Sequence, residues 1–554
     1  MTTKNTMYET RCLSSLTKVF ADEELKDAPY QKGSTLLNET YTFQIAYRTK
    51  GWLTKGIQVD VTSDLADRIQ LRTVGLAPSE FPIYPDHDDD VLRTTPGLYP
   101  DPLYPVTDEG IIAFPNQWRS LWVTVDVGAD VPSGEHDIDI IFKTSDDETL
   151  ATETFILDVL PVKLPEQTLI HTQWFHTDCI ADQYDVPVFS KKHWTLIQKY
   201  AKTAADHGIN MILTPLFTPP LDTEVGGERP TVQLVDVEKN GDDYTFTFEK
   251  LKQWIETVTE SGIKYLEFSH LFTQWGAHHA PKIVATENGI ERKIFGWETD
   301  ATGDTYKSFL DQFLPELVTF IKQQGIENRV YFHVSDEPNI DHLESYKNAS
   351  DIIHGHLSDF PIMDALSDYD FYKEGLVRNP IPSNNHIEPF LENNVPDLWT
   401  YYCCGQYKEV SNRFFIFPSA RNRITGMQLY KYNIKGFLQW GYNFWFTQFS
   451  KKSLNPFENT DAGYGFPSGD AFIVYPGENG PIESIRMEVF YEALQDQRAL
   501  QLLGDLIGKE AVIKFLETDL DQPLTFTNYP KDQNWLLKKR DDINYKIVEA
   551  SLVK

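Results

Sequence analysis

The sequence predicts a multidomain α and β protein. An antiparallel β-sandwich is expected over residues 1–163, a (β/α)8 barrel over 164–480, and a helical C-terminal region over 481–554 packed on that barrel. Three observations carry this reading. The first third of the chain has period-two hydrophobicity with no helical stretch of length. Strand-like and helix-like segments alternate after Pro161-Val-Lys-Leu-Pro165, and amphipathic spacing sets in after Pro481.

In the first region, Ile57, Val59 and Val61 alternate with polar neighbours. Leu121, Val123, Val125 and Val127 alternate with Trp122, Thr124 and Asp126, and Ile138 and Ile140 continue the pattern. Gly, Pro and Asp turns separate these runs, as in a sandwich. One long loop carries Asp86, Asp88 and Asp90 at the spacing that opens a calcium loop. Val91 stands where glycine is needed and Gly97 where the bidentate Glu is needed, so the segment reads as a solvated loop.

The barrel, of the TIM type, is predicted from eight strands. These are Leu169 to Phe175, Ile209 to Leu213, Ile263 to His270, Arg329 to Val334, Pro361 to Ala365, a weak one near Asn379 to Pro382, Leu398 to Cys403, and Lys435 to Trp440. Helices are expected at Lys192 to His207, Glu249 to Glu260, Tyr306 to Gln324 and Asp341 to Ile353. Gly208, Gly262 and Gly325 serve as C-caps of the first three. The loop from Phe272 to Gly303 carries Trp275, His278, His279 and Trp297 and is too long for a connector, so it predicts a wall or lid. Ile485, Val489, Leu494 and Leu500 to Leu506 mark the C-terminal helices.

A net charge of −32 argues against nucleic acid and anionic membrane surfaces as partners. Aromatic residues make up 13% of the chain, an excess that suits stacking on sugars. The first residues lack the apolar core of a secretory signal, and no stretch has the 18 apolar residues of a membrane span. Cys12, Cys179, Cys403 and Cys404 form no CxxC pair, so neither a disulfide framework nor a zinc site is indicated. The expectation is a soluble, reduced, cytoplasmic protein.

The chemistry is concentrated in Arg329-Val-Tyr-Phe-His-Val-Ser-Asp-Glu-Pro338. Pro338 biases Glu337 away from the helical region, so Asp336 and Glu337 lie where a strand opens into a loop, the ligand-binding end of a parallel barrel. Glycosidases on such barrels place one carboxylate after strand four and a nucleophile after strand seven. Here the seventh strand, Leu398-Trp-Thr-Tyr-Tyr-Cys-Cys404, has no carboxylate. An enzyme without that nucleophile can use the substrate's own 2-acetamido carbonyl. Asp336 would then hold the acetamido group and Glu337 would be the acid/base, with their closeness raising one pKa.

Phe332-His-Val-Ser-Asp-Glu-Pro338, Trp399-Thr-Tyr-Tyr-Cys-Cys404, Gly436-Phe-Leu-Gln-Trp-Gly-Tyr-Asn443, and Ser468-Gly-Asp-Ala-Phe-Ile-Val-Tyr-Pro-Gly477 followed by Ser484-Ile-Arg486 resemble glycoside hydrolase family 123. Pro96-Gly-Leu-Tyr-Pro-Asp-Pro102 resembles that family's N-terminal sandwich, so the likeness covers most of the chain. The resemblance implies a retaining exo-β-N-acetylgalactosaminidase with substrate-assisted catalysis, its Asp-Glu pair matching Asp336 and Glu337. It does not fix the sugar for this chain.

Trp440 is the expected aromatic floor of the sugar site. Tyr401 or Tyr402 could donate to the acetamido oxygen; only one can point inward, and Tyr402 is chosen as nearer the strand end. His270, Trp275, Asn443, Trp445 and Arg486 are the remaining candidates for substrate contacts, with packing as the competing role for each. His333 is expected inside the barrel. His354-Gly-His356 and His278-His279 lack a partner set for metal and read as surface histidines. No cofactor is expected, and the partner is an oligosaccharide or glycoconjugate. Two alternatives stand beside this reading: an exo-glycosidase of another sugar specificity, and a non-catalytic carbohydrate-binding protein on a hydrolase fold.

Overall fold

The computed structural model describes residues 7–338 and 342–552. The chain divides into two compact units. One holds the chain up to Thr168, Tyr407–Tyr432 and the chain from Ile482 on; the other holds Leu169–Gln406 and Asn433–Pro481.

In the first unit, one five-stranded antiparallel sheet runs in the order Tyr8–Ser14, Glu39–Thr49, Arg119–Val127, Ile69–Ser79, Gly97–Pro105. A second runs Lys32–Leu37, Thr149–Lys163, Gly134–Lys143, Thr54–Thr62, Ile111–Ala113, with its first pair parallel. Their inner faces share one core: Phe43, Ile45, Leu121, Val123 and Val125 from the first meet Ile57, Ile138, Ile140, Phe142, Phe155 and Leu157 from the second. Alternation along the strands is what aims these side chains inward.

The other face of the first sheet is buried too. Trp122, fully buried in the polar phase of its strand, joins Val74 and Leu103 in a core with Ile485, Val489, Leu500 and Ile543 from the helices Ile485–Ile507 and Gln533–Ser551. The C-terminal helices therefore pack on the N-terminal sheets, where the sequence predicts packing on the barrel. The cause is that Trp122, Val74 and Leu103 make that sheet face too apolar to leave wet.

The loop with Asp86, Asp88 and Asp90 is anchored rather than free. Asp88 makes a paired bond with the Arg421 guanidinium at 2.8 Å for each nitrogen, and Asp86 accepts from the Tyr407 hydroxyl.

The same unit is sewn together by buried charge. Asp496 receives Arg423 Nε at 2.8 Å and Arg540 at 2.7 Å, while Arg540 also reaches Glu39 at 2.6 Å and Arg423 reaches Glu492 at 2.7 Å. Removing Asp496 takes three charged hydrogen bonds from two buried guanidinium groups and leaves the donors that faced it unpaired, even though Glu492 and Glu39 remain. Asp496→Ala is expected to lower the stability of this unit by about 3–5 kcal/mol. Lys538→Ala, which breaks only the exposed pair with Asp542, should stay within about 0.5 kcal/mol. Denaturant melts of the two variants check the contrast.

In the second unit, the eight expected strands are present and shorter. They are β1 (Ile170–Gln173), β2 (Met211–Thr214), β3 (Tyr265–Phe268), β4 (Val330–Tyr331), β5 (Met363–Ala365), β6 (Asn379–Ile381), β7 (Trp399–Tyr401) and β8 (Gly436–Gln439). Six form one parallel sheet, ordered β4-β3-β2-β1-β8-β7, and β5 pairs parallel with β6. Single parallel bridges, Phe332 to Ile362 and Ser383 to Tyr401, join the two sets. The interior holds Trp174, Met211, Leu213, Met363, Ile381, Tyr401 and Leu438.

Helices Lys191–Asp206, Glu249–Glu260 and Asp304–Gln324 fall where expected, and Gly325 closes the last of them in the left-handed conformation at φ 65°. The fourth runs Leu343–Leu357; its expected first residue, Asp341, lies outside the described residues. The long loop from Phe272 is a wall rather than a free lid. Its strands Ile283–Glu287 and Ile290–Phe295 join Asp236–Asn240 and Asp243–Thr247 in a four-stranded sheet. No helix of the described residues is long and apolar enough to cross a membrane.

Candidate active site

Past β4 the backbone ladder ends at the Phe332–Ile362 bridge, and a side chain then takes over from it. The Val334 amide donates to Asp364 Oδ1 at 3.1 Å. His333 sits between two carboxylates, with Nε2 2.7 Å from Glu267 Oε1 and Nδ1 3.2 Å from Asp364 Oδ1. Burial alone would strip the His333 proton, but the hydrogen bonds to Asp364 and Glu267 outweigh it and push the imidazole up to about 10. Burial pushes Asp364 up as well. The geometry decides the pair's charge state, because the Val334 amide and the Tyr346 hydroxyl both donate to Asp364 and suit a carboxylate. His333 is thus an imidazolium clamped between acids.

The next residues are pinned from both sides. Ser335 Oγ donates to Thr273 O at 2.8 Å, the Trp275 amide donates to Asp336 O at 3.0 Å, and the Glu337 amide donates to Ala365 O at 3.1 Å. Glu337 is held at φ 44°, a conformation costly for a side chain with Cβ. Strain of this kind persists only where the surroundings over-determine it, and it collects at functional sites.

Asp336 is buried and Glu337 opens into a pocket that also exposes Trp174, Asp222, Gln274, Trp275, Tyr401 and Trp440. The cavity is small, about 110 Å³, below the usual span of small-molecule sites, and it opens to solvent at its mouth. Glu337 and Tyr401 also line a second, wider cleft with Ser367, Asp368, Tyr369 and His386, so these two residues stand at the junction of the two spaces. Tyr401 donates to Glu337 Oε1 at 2.9 Å.

Crowding by protein raises the Glu337 carboxyl, against the lowering effect of the Tyr401 hydroxyl. Burial, then the Glu337 charge, raises Asp336 well above the ordinary carboxylate range, with the His333 cation pulling the other way. The two carboxyls share the cost of ionising, so the pair holds a proton at pH values where isolated carboxyls have lost theirs.

Of the residues singled out from sequence, Asp336, Glu337, Trp275 and Trp440 line the pocket. Trp440 is fixed by its Nε1 donating to Asp470 Oδ2 at 2.9 Å and by packing on Phe444 and Phe466. His270 does not line it. It is buried behind Trp174 and stacked on His333 at 4.2 Å, and among the described residues neither ring nitrogen has a hydrogen-bond partner; burial and the His333 cation keep it neutral.

Tyr402 is a correction. It packs on Phe437 away from the pocket, and Tyr401 is the inward residue because its register partner is Leu438, on the face that also carries Trp440. Asn443 is fully buried and clamps the His176 backbone with both ends of its amide, at 2.8 and 3.0 Å. Trp445 is core, its Nε1 donating to Val474 O. Arg486 belongs to the first unit, where it makes a buried paired bond with Asp101 at 2.7 and 2.9 Å. Each of these three has its polar atoms taken up by hydrogen bonds within the protein.

Sequence reasoning missed Trp174, Asp222 and Gln274. Trp174 could have been found, since it ends the first barrel strand; Asp222 sits in a loop with no motif around it.

His270, His333 and Asp364 also bring three ligand-type atoms within 4.8 Å of one another. Both His333 nitrogens already face carboxylates, which suits an imidazolium and leaves no lone pair for a metal. At the end of β7, where other barrel glycosidases hold a nucleophile, Cys403 and Cys404 line the pocket. The hydrogen bond to Cys404, burial and the Glu337 charge keep Cys403 a thiol.

A profile of the glycoside hydrolase 123 catalytic domain matches residues 174–503. The chain belongs to that family and is a glycoside hydrolase. Among solved structures, a family 123 glycoside hydrolase from Clostridium perfringens is similar over 99% of this chain and 100% of its own, at 17% identity and a TM-score of 0.76. That likeness is one of fold. A β-glucuronidase from Parabacteroides merdae, at 12% identity, aligns with 83% of this chain and 50% of its own at a TM-score of 0.31. An endo-β-1,4-mannanase from Thermotoga petrophila, also at 12%, covers 60% and 77% at 0.33. No curated protein matches the sequence.

Because both acidic groups are raised in the folded state, each favours folding only while protonated, and that contribution is lost as pH rises through the folded value. Asp336→Asn and Glu337→Gln should therefore melt at higher temperature than the wild type at pH 7, with the gap closing towards pH 4. Calorimetry across that range checks the sign.

Proposed function

We propose that the enzyme removes terminal β-linked N-acetylgalactosamine with retention, through the substrate's own acetamido group. The eight parallel strands are read here as one closed (β/α)8 barrel whose C-terminal ends carry the site. The observation that carries the proposal is the adjacent pair Asp336–Glu337 facing one pocket, with two thiols in place of a carboxylate after β7. For the Clostridium perfringens enzyme the reaction is glycolipid glycan hydrolysis, which fits a sugar attached to a further glycan.

In this reading the sugar lies in the smaller pocket against Trp440 and Trp275. Asp336, as carboxylate, accepts the acetamido N–H and turns the carbonyl oxygen towards C1. Glu337, protonated, faces both cavities and gives its proton to the glycosidic oxygen as the C1–O bond breaks. The carbonyl oxygen bonds to C1, forming an oxazolinium ion that the Asp336 charge offsets. The leaving group departs through the wider cleft. Water then attacks C1, Glu337 takes its proton, and the acetamido group is restored. Two inversions give retention. Raised carboxyls help because one proton must stay on the pair near neutral pH.

Hydrolysis of nitrophenyl β-glycosides of N-acetylgalactosamine, N-acetylglucosamine and galactose tests the proposal. Release from the galacto-configured acetamido sugar, lost by about 10²–10⁴-fold in Glu337→Gln, is the expected result. Asp336→Asn should be crippled as well. Equal cleavage of plain galactoside would remove the acetamido mechanism.

The kcat/KM profile should be bell-shaped, since the working pair carries one proton, with its basic limb above the ordinary Glu value of about 4.3. Tyr401 lowers the Glu337 carboxyl by donating to it, so Tyr401→Phe should move that limb to higher pH.

A further inference from the structure

We infer that Asp222 is the residue that reads the hydroxyl edge of the terminal sugar, and that Gln274 positions it. The inference rests on the proposed function for what lies in the pocket. The placement of the two residues stands apart from it.

Asp222 lies in the loop after β2 and Gln274 in the loop after β3, and both line the pocket that holds Asp336 and Glu337. Asp222 is held in the left-handed region at φ 37°, and three contacts force it there. Its amide donates to Gln274 Oε1 at 2.7 Å, its carbonyl accepts Ser450 Oγ at 2.6 Å, and its Oδ2 accepts the Phe449 amide at 3.0 Å. Trp275 and Phe449, which touch edge to face at 5.8 Å, are themselves at φ 57° and 61°. Three strained residues with side chains, Asp222, Trp275 and Glu337, thus line one small cavity, and a fourth, Phe449, packs behind Trp275.

That much strain fixes a particular direction for one carboxylate. Among the described residues, the Phe449 amide is the sole hydrogen-bond donor to it, so most of its acceptor capacity is unused. Burial raises the Asp222 carboxyl to about 6, against the lowering effects of Phe449 and Arg229, so it gains from any donor brought in by a ligand. Gln274 is buried, and among the described residues its Nε2 has no hydrogen-bond partner. An unpaired buried donor costs about 1–3 kcal/mol, which a ligand oxygen can relieve.

The ligand class follows from the positions already occupied. Carbons 1 and 2 of the sugar are taken by Glu337 and Asp336, which leaves the hydroxyls on carbons 3, 4 and 6. Each is at once donor and acceptor, the complement of a carboxylate beside an amide. Asp222 is thereby the side chain that separates sugars differing only in hydroxyl configuration.

The test uses the full chain and nitrophenyl β-N-acetylgalactosaminides lacking the 3-, 4- or 6-hydroxyl. Wild type should lose about 10- to 100-fold in kcat/KM on removal of the hydroxyl that Asp222 binds. Asp222→Asn should lose a similar factor on the intact sugar and be indifferent to that hydroxyl. Gln274→Glu, which keeps the acceptor for the Asp222 amide and removes Nε2, should retain most of the discrimination.

A uniform drop on all three deoxy sugars and the parent would make Asp222 a structural residue and overturn the inference; so would no change. A loss beyond about 10³-fold in kcat on every substrate would make it a reacting group instead, and that too overturns it. If wild type cleaves no acetamido glycoside, the proposed function falls by itself. The pair is then judged by calorimetric titration of free N-acetylgalactosamine, N-acetylglucosamine and galactose into wild type and Asp222→Asn. Binding weakened tenfold or more in the variant supports the assignment, and equal or absent binding overturns it.

Discussion

The pocket depends on a positive charge buried inside the second unit. His333, clamped between Glu267 and Asp364, fixes the chain three residues before Asp336, and neither carboxylate could be sheltered there without it. Glu267 is further held by the Trp174 indole at 2.8 Å and by the Thr172 hydroxyl, so the clamp reaches back to β1. Through Trp174 the same ion group also sets one wall of the pocket. A single buried network therefore aligns strands one, three, four and five at the end that carries the candidate site.

Above that clamp the protein gives up stability to hold two raised carboxyls. Burial disfavours both charges, and their adjacency disfavours having both at once. His333 and Tyr401 relieve part of this, each from a fixed direction. The result is a pair poised with one proton, one member hidden and one opening on both cavities. That asymmetry supports the proposed roles, in which Glu337 reaches the leaving oxygen and Asp336 holds the neighbouring group.

The first unit obeys a different logic. Its sandwich core is the ordinary product of alternating strands, but its outer sheet face is closed by helices that come from the other end of the chain. Glu39, Arg423, Glu492, Asp496 and Arg540 bring four distant stretches of sequence into one buried ion network. Apolar burial supplies the bulk of the adhesion there. The charges restrict which surfaces can meet, since an unpaired guanidinium in that place would be prohibitive.

By itself the sequence determined the alternation of strands and helices, the sandwich ahead of it, and the acidic pair at a strand end. These are local: periodicity, glycine caps and Pro338 act within a few residues of what they specify. The tertiary structure decided whether Tyr401 or Tyr402 faces the pocket, because that phase is set by pairing Tyr401 with Leu438 across strands far apart in sequence. It also decided that Arg486 meets Asp101, that Asn443 clamps His176, and that the C-terminal helices cover Trp122. Asp222 shows the limit most sharply. No neighbouring residue marks it, and the loops holding Gln274 and Phe449 place it at the pocket, since a side chain's direction in a strained loop is imposed by contacts remote in sequence.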